Sequence, residues 1–188
     1  MVICFSIICR EYLAGENHWE KRRNQELGTS GFKPMKRRPE REISREEAID
    51  ILKQGEYGVL SLAHTENGYP YGVPINYIYD SNKLYFHCGN SGQKLDIIRT
   101  NPRACFTVVL DAQVLPKQHS TSYRSVIVFG RCSLVEKELK DEILLKFGLH
   151  FAAEYPEEIK KNIVKLGKVT EIIQFEIEHL TGKRRKLE

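Results

Sequence analysis

The chain has 188 residues, 41% of them hydrophobic and 29% charged, with a formal net charge of +4. These proportions suit a soluble globular protein that buries about 70% of its unfolded surface, so no disulfide staples are required. The positive excess sits at the ends, in Lys36-Arg37-Arg38 and Lys183-Arg184-Arg185-Lys186. The body between them is slightly acidic, and no basic, aromatic-interleaved stretch points to nucleic acid.

Val2 to Ile8 is apolar, but the run is too short to span a membrane and lacks the basic flank of a secretion signal. Residues 9–34 are polar and patternless, and Met35 opens a stretch leading into a well-capped helix. The expected organisation is therefore an N-terminal extension over 1–34, disordered or an over-extended start, and one domain over 35–188. The five cysteines (Cys4, Cys9, Cys88, Cys105, Cys132) form no CxxC pair and no metal-like cluster. An odd count implies free thiols in a reducing, cytoplasmic compartment. Cys105 and Cys132 fall within apolar strand patterns and read as core residues.

Ser44-Arg45-Glu46-Glu47 is a capping box that starts a helix ending at Gly55. Tyr57 to Ala63 follows as a strand, and Glu66-Asn67-Gly68 turns it back into Tyr69 to Tyr79. Pro70 and Pro74 each remove a ladder donor, so this second strand should be bulged or at an edge. Leu84 to Cys88 is the third strand. A helix from Gln93 to about Thr100 stops at Asn101-Pro102. Ala104 to Leu110 and Tyr123 to Val135 are strands four and five, with 111–122 as a loop. Lys137 to Glu154 has helical spacing, and Pro156 opens another helix. Ile173, Phe175 and Ile177 alternate with polar residues as a sixth strand. Six hairpin-linked antiparallel strands close into a barrel or sandwich, so the fold class is mainly β with flanking helices.

The stretch from Leu84 to Lys94 carries the chemistry. Gly89, Asn90, Ser91 and Gly92 let the backbone turn sharply. Ser91 is placed to cap the following helix, whose first amides present the positive end of its dipole. Lys94 has the wrong charge for its own helix start, a conflict that an anion there resolves. The plain alternative is a capped connector with an exposed lysine. His87 and Cys88 are adjacent on a strand, face opposite sides and cannot share a metal. No metal site is expected.

At these residues the chain resembles a known family. Tyr85-Phe86-His87-Cys88, Gly92-Gln93-Lys94-Leu95, Asn101-Pro102-Arg103, Gly72-Val73-Pro74-Ile75-Asn76-Tyr77 and Arg124-Ser125 through Gly130 are similar, in order and spacing, to the flavin-binding split-barrel superfamily that includes pyridoxamine 5'-phosphate oxidase. The ending Ile177 to Lys183 resembles the nitroimidazole-reductase (Nim) branch. The resemblance covers about Met35 to Lys183. It implies a six-stranded antiparallel split β-barrel, a homodimer with FMN between the subunits, and electron transfer from reduced flavin to a small acceptor such as a nitroaromatic.

It further implies that Pro74, Ile75, Asn76 and Tyr77 line the isoalloxazine, mostly through backbone groups, and that Phe86 and His87 lie along the ribityl phosphate. Gly92, Gln93 and Lys94 would hold the phosphate, Ser125 would reach in from the partner, and His87 would stand at the active site. The superfamily often has a basic residue where this chain has Gln93, which keeps FAD open beside FMN. The chain lacks the arginine-rich C-terminal substrate segment of the true oxidases. A non-enzymatic flavin carrier or sensor and a haem-binding split barrel are the alternatives.

Overall fold

The computed structural model describes residues 31–33, 35–64 and 66–185. The chain forms two compact units, Met1–Pro39 and Glu40–Glu188. The expectation for residues 1–34 falls, apart from 31–33, outside the described residues.

The second unit holds strands β1 (Glu42–Ile43), β2 (Tyr57–Ala63), β3 (Pro70–Asn76), β4 (Ile78–Asp80), β5 (Lys83–Gly89), β6 (Arg103–Leu115), β7 (Ser120–Leu134) and β8 (Thr170–Arg185). Its helices are α1 (Arg45–Gln54), α2 (Gln93–Thr100), α3 (Lys137–Ala152) and α4 (Pro156–Leu166). The strands pair antiparallel in the order β3-β2-β6-β7-β8-β5-β4, with β1 on β8. β3 and β4 are one run of chain broken at Tyr77, with β3 pairing β2 at one end of the order and β4 pairing β5 at the other. That shared run closes the sheet. The expected six-stranded barrel is therefore present, counted as eight strands because the second is broken and the two-residue β1 is added. At the break the Tyr77 ring lies fully inside, where its hydroxyl donates to the Leu52 carbonyl oxygen at 2.8 Å.

Alternation sets the core. Leu60, Leu62, Leu84, Phe86, Phe106, Val108, Val126, Val128, Ile173 and Phe175 all point inward. The Phe86 ring lies 5.0 Å from Phe106 and 6.3 Å from Phe175, and Tyr77 meets Phe106 edge-on at 4.9 Å. The two ends of the barrel, at opposite ends of β2, are filled by helices. α1 contributes Ala48, Ile51 and Leu52, and α2 contributes Leu95, Ile97 and Ile98, to the same core. Ser44 caps α1 as the capping box predicts, accepting from the Glu47 amide at 3.2 Å. α3 lies on the outside, packing Ile143 and Phe147 over Ile78, Tyr85 and Ile172.

Three expectations are corrected. Residues 111–122 are not a loop: β6 runs to Leu115, a short 3-10 turn covers Pro116–Gln118, and β7 begins at Ser120. A register shift between Leu110 and Gln113, with Asp111 at φ +53°, bends this pair into an arm. The sixth strand extends to Arg185, so Lys183, Arg184 and Arg185 belong to the sheet. Cys105 is half-buried on the outer face, while Cys132 is a core residue whose thiol burial pushes up to about 12.

Candidate functional site

Gly92 precedes α2 at φ +124°, ψ 163°, a conformation essentially reserved for glycine. It is the residue that caps the helix, without any side-chain hydrogen bond. The expected cap, Ser91, does not do so. Leu95 and Asp96 donate back to the Gly92 carbonyl oxygen at 2.9 and 3.3 Å. Among the described residues no acceptor meets the amides of Gly92, Gln93 or Lys94. A Cβ built on Gly92 would have nothing within 4 Å, so the turn stands open to a ligand. Lys94, half-buried, is near enough to Cys88 to oppose the rise in that thiol's pKa, which burial causes.

This set of donors (unpaired amides, a helix N-terminus, one ammonium and one carboxamide) fits an oxyanion such as a phosphate. The cleft on the other flank of Gln93, about 300 Å³ and bordered by His64, Glu66, Asp96 and Thr100, carries two carboxylates and does not fit an anion.

The same turn ends β5, and β5 adjoins β3 across a seam. Ladder pairing of β4 with β5 stops at Ile78 opposite Tyr85. Continuing that register by two residues puts Asn76 opposite His87, and by four puts Pro74 opposite Gly89. Pro74 and Asn76 are exposed on the outer side of β3, which is hydrogen-bonded to β2 alone, as its prolines require. The Asn76 carboxamide donates to the Glu56 carbonyl oxygen at 3.0 Å. His87 faces outward too. It stays solvent-accessible, but its ring stands edge-on to Phe147 at 4.9 Å, and this desolvation pushes its pKa below the ordinary 6.5. Cys88 turns the other way, against the core, so the two cannot share a ligand.

Carried on into β3, the β4–β5 register would set Pro74 and Asn76 beside β5 and His87, with Gly92, Gln93 and Lys94 at the turn that ends β5 and starts α2. The structure turns Ile75, Tyr77 and Phe86 inward: Ile75 packs on the core, and the other two rings are fully buried within it. Only their backbones can face a ligand. Burial raises the Tyr77 phenol's pKa, which keeps it a neutral hydrogen-bond donor. Ser125 is elsewhere. It lies on the outer side of β7, opposite Val109, three strand spacings or ~14 Å from β3.

Between Ser125 and the seam runs an uncovered sheet face that the sequence reading passed over. Pro74, Val59, Thr107 and Ile127 form one row across four strands. Tyr57, Val59, Val109 and Ile127 are 67%, 40%, 51% and 39% exposed. A contiguous apolar patch of this kind marks an interaction surface rather than scattered surface residues. The alternation of these residues with core Leu60, Val108, Val126 and Val128 was the available signal, although alternation alone does not say which outer faces helices cover. Among the described residues no three His, Cys, Asp or Glu side chains are placed to hold a metal, and no helix is long and apolar enough to cross a membrane.

Comparison with known proteins gives three results. Residues 44–184 match the family model described as pyridoxamine 5'-phosphate oxidase. An uncharacterized protein of Rhizobium meliloti (strain 1021) is 33% identical over 91 residues, 48% of this chain and 54% of that protein, so the match spans about half of the relative's length. Among solved structures, a candidate 5-nitroimidazole antibiotic resistance protein of Bacteroides thetaiotaomicron VPI-5482 is similar with TM-score 0.60 at 22% identity, covering 76% of this chain and 85% of the other. An FAD and heme binding protein of Mycobacterium smegmatis is similar with TM-score 0.67 at 20% identity, covering 77% and 72%. At these identities the structures speak for the fold.

Proposed function

The chain belongs to the pyridoxamine 5'-phosphate oxidase family, and from that premise we propose that it is a flavin-dependent oxidoreductase of the nitroimidazole-reductase type, binding FMN, or FAD, along the β3–β5 seam. The start of α2 carries this reading, with three amides lacking an acceptor beside Lys94. Gly92, Gln93 and Lys94 hold the phosphate, and backbone groups of Pro74 to Tyr77 border the ring. A bound flavin supplies two-electron chemistry, enough to take a nitro group and two protons to a nitroso group and water.

The protein's own part is to position and to exclude water. Phe147 shields His87 on one side, so the imidazole is neutral near pH 7 and is set to hold a proton at the seam. Ser125 is too far from the seam to serve its own chain's ligand. The uncovered apolar face of β2, β6 and β7 supports the homodimer reading, since a second copy docked there would donate its Ser125 across the interface. The free thiols Cys88, Cys105 and Cys132 support a reducing, cytoplasmic setting.

The test is the absorption spectrum of the purified protein after incubation with FMN and with FAD, followed by anaerobic turnover of a 5-nitroimidazole with reduced flavin. A bound flavin and turnover above that of free flavin are expected. A protein that binds neither flavin overturns the reading, and binding without catalytic excess makes it a carrier. Unchanged turnover in His87→Ala removes His87 from the active site.

A further inference from the structure

Beside the turn that ends β5 lies a cleft of about 670 Å³, enclosed by α3, α4 and the 3-10 turn Gly167–Val169. That is the size of a small-molecule site. Backbone contacts fix where it stands. Thr170 pairs Gly89 in the β5–β8 ladder, and the Asn90 amide donates to the Val169 carbonyl oxygen at 3.2 Å. The segment Lys168 to Glu171 therefore borders the cleft with its outer two residues and holds the β5 turn with its inner two. Val135, which also lines the cleft, donates its amide to the Ile172 carbonyl oxygen at 2.9 Å, and Ile172 pairs His87. Val135 is thus two strand spacings, ~10 Å, from β5. The Cys88 thiol, whose pKa burial raises, lies within electrostatic reach of both Lys94 at the turn and Glu171 at the cleft.

The lining carries three kinds of chemistry. Lys137, Lys140 and Asp141 are spaced i, i+3 and i+4 and so share one face of α3. Lys140 is already paired with Glu171 at 3.6 Å, its side chain 13% exposed. Lys137, Asp141 and the exposed Lys168 make no ion pair among the described residues, which leaves two ammonium groups against one carboxylate. Lys137 is moreover the first residue of α3, a helix of 16 residues whose N-cap, Glu136, makes no side-chain hydrogen bond to it. A lysine there opposes the helix dipole, and a bound phosphate removes the conflict. Val135, Ile163 and Val164 give the same cleft an apolar wall, with Val164 left 77% exposed. Ammonium groups for a phosphate, a carboxylate for hydroxyl donors and an apolar wall for a base are together what a nucleotide requires.

We infer that this cleft takes the adenylate half of FAD, with Lys137 and Lys168 meeting its phosphate, Asp141 accepting from the ribose hydroxyls and adenine lying on Ile163 and Val164. The flavin's first phosphate stays at Gly92 to Lys94, and the rest of the dinucleotide crosses the segment Lys168 to Glu171 to reach the cleft. The inference rests on the flavin reading for the ligand and deepens it, deciding between FMN and FAD in favour of FAD. It rests on the cleft alone for a nucleotide.

Two measurements on the flavin-free full chain decide it. Fluorescence titration is expected to show FAD binding about tenfold or more tighter than FMN. Lys168→Ala should weaken FAD about tenfold and leave FMN unchanged, as loss of one charge-assisted hydrogen bond requires, whereas Lys94→Ala should weaken both. Calorimetry with 5'-AMP is expected to give one-to-one binding that salt weakens, about tenfold weaker in Lys168→Ala and little changed in Lys94→Ala. An unchanged melting temperature confirms that the exposed turn at Lys168 still folds. Absence of saturable AMP binding overturns the nucleotide site, whatever the flavins do. AMP binding that depends on Lys94 and not on Lys168 overturns it as well, placing the nucleotide at the start of α2. Equal affinities for FMN and FAD, or an FAD affinity unmoved by Lys168→Ala, overturn the assignment to FAD, and AMP binding lost in that variant then gives the cleft to a free adenine nucleotide. Failure to bind any flavin removes the oxidoreductase reading and leaves the AMP result to decide the cleft by itself.

Discussion

Replacing Gly92 by alanine separates backbone strain from steric collision at the start of α2. A Cβ there meets nothing within 4 Å, so the whole cost comes from holding an L-residue at φ +124°, ψ 163°. That region is essentially glycine-only and costs about 1–3 kcal/mol for other residues. For a unit of this size, the loss corresponds to a fall in melting temperature of roughly 2–12 °C.

The chain has one way to avoid it, which is to rotate the turn and move the amides of Gln93 and Lys94. Losing one charge-assisted hydrogen bond to a phosphate is worth about 1.5–3 kcal/mol, or roughly 10- to 150-fold in affinity. The expected outcome of Gly92→Ala is therefore a shared loss: a lower melting temperature, weaker FMN binding, and riboflavin binding changed much less. Differential scanning fluorimetry and fluorescence titration with both flavins measure the two parts. If melting temperature and FMN affinity both stay at wild-type values, the turn has no need of glycine and the α2 start is not the phosphate site.

His87 gives a pH signature. Its pKa is lower in the folded chain than the ordinary 6.5 because Phe147 desolvates it, so the unfolded chain binds the extra proton first as pH falls. Its contribution to stability is thus complete above about pH 6.5 and is lost as pH drops toward the folded pKa. Melting curves from pH 7.5 to 5 should fall more steeply for wild type than for His87→Gln, and parallel curves would refute the assignment. Gly130→Ala should destabilise strongly, by about 3 kcal/mol or more, because its Cβ would come within 2.0 Å of the Glu176 carbonyl oxygen at a register shift. A thermal shift below a few degrees would show that the strands can separate there. Ile127→Asp, in the exposed row with Val59, should convert a dimer into monomers in analytical ultracentrifugation while leaving the barrel folded. A dimer that persists would place the interface elsewhere.

Much of this protein is legible from its sequence because the forces involved are local. Apolar alternation placed the strands, the Ser44 capping box started α1, two prolines put β3 at an edge, and the glycine-rich turn before Lys94 marked the candidate anion site. Side-chain direction was legible only where alternation was unbroken. It separated His87 from Cys88 correctly, yet the inward turn of Phe86 emerges only from its packing on Phe106 and Phe175. The arm over residues 111–122 was missed because Asp111, Pro116 and His119 carry turn chemistry inside a long hairpin, where pairing between β6 and β7 overrides local propensity. The cap at Gly92 instead of Ser91 is a shift of one residue, which no local preference resolves.

What the sequence by itself determined is therefore the list of elements, their faces and the chemistry of one turn, all properties of neighbouring residues. Only the tertiary structure decided which distant residues share a surface. Closure of the barrel through the broken β3–β4 run brings β3 beside β5 and leaves Ser125 three strands from β3. It also sets Arg124 against Arg184, residues sixty positions apart. Those relations depend on strand order and register, which long-range pairing fixes and no window of sequence contains.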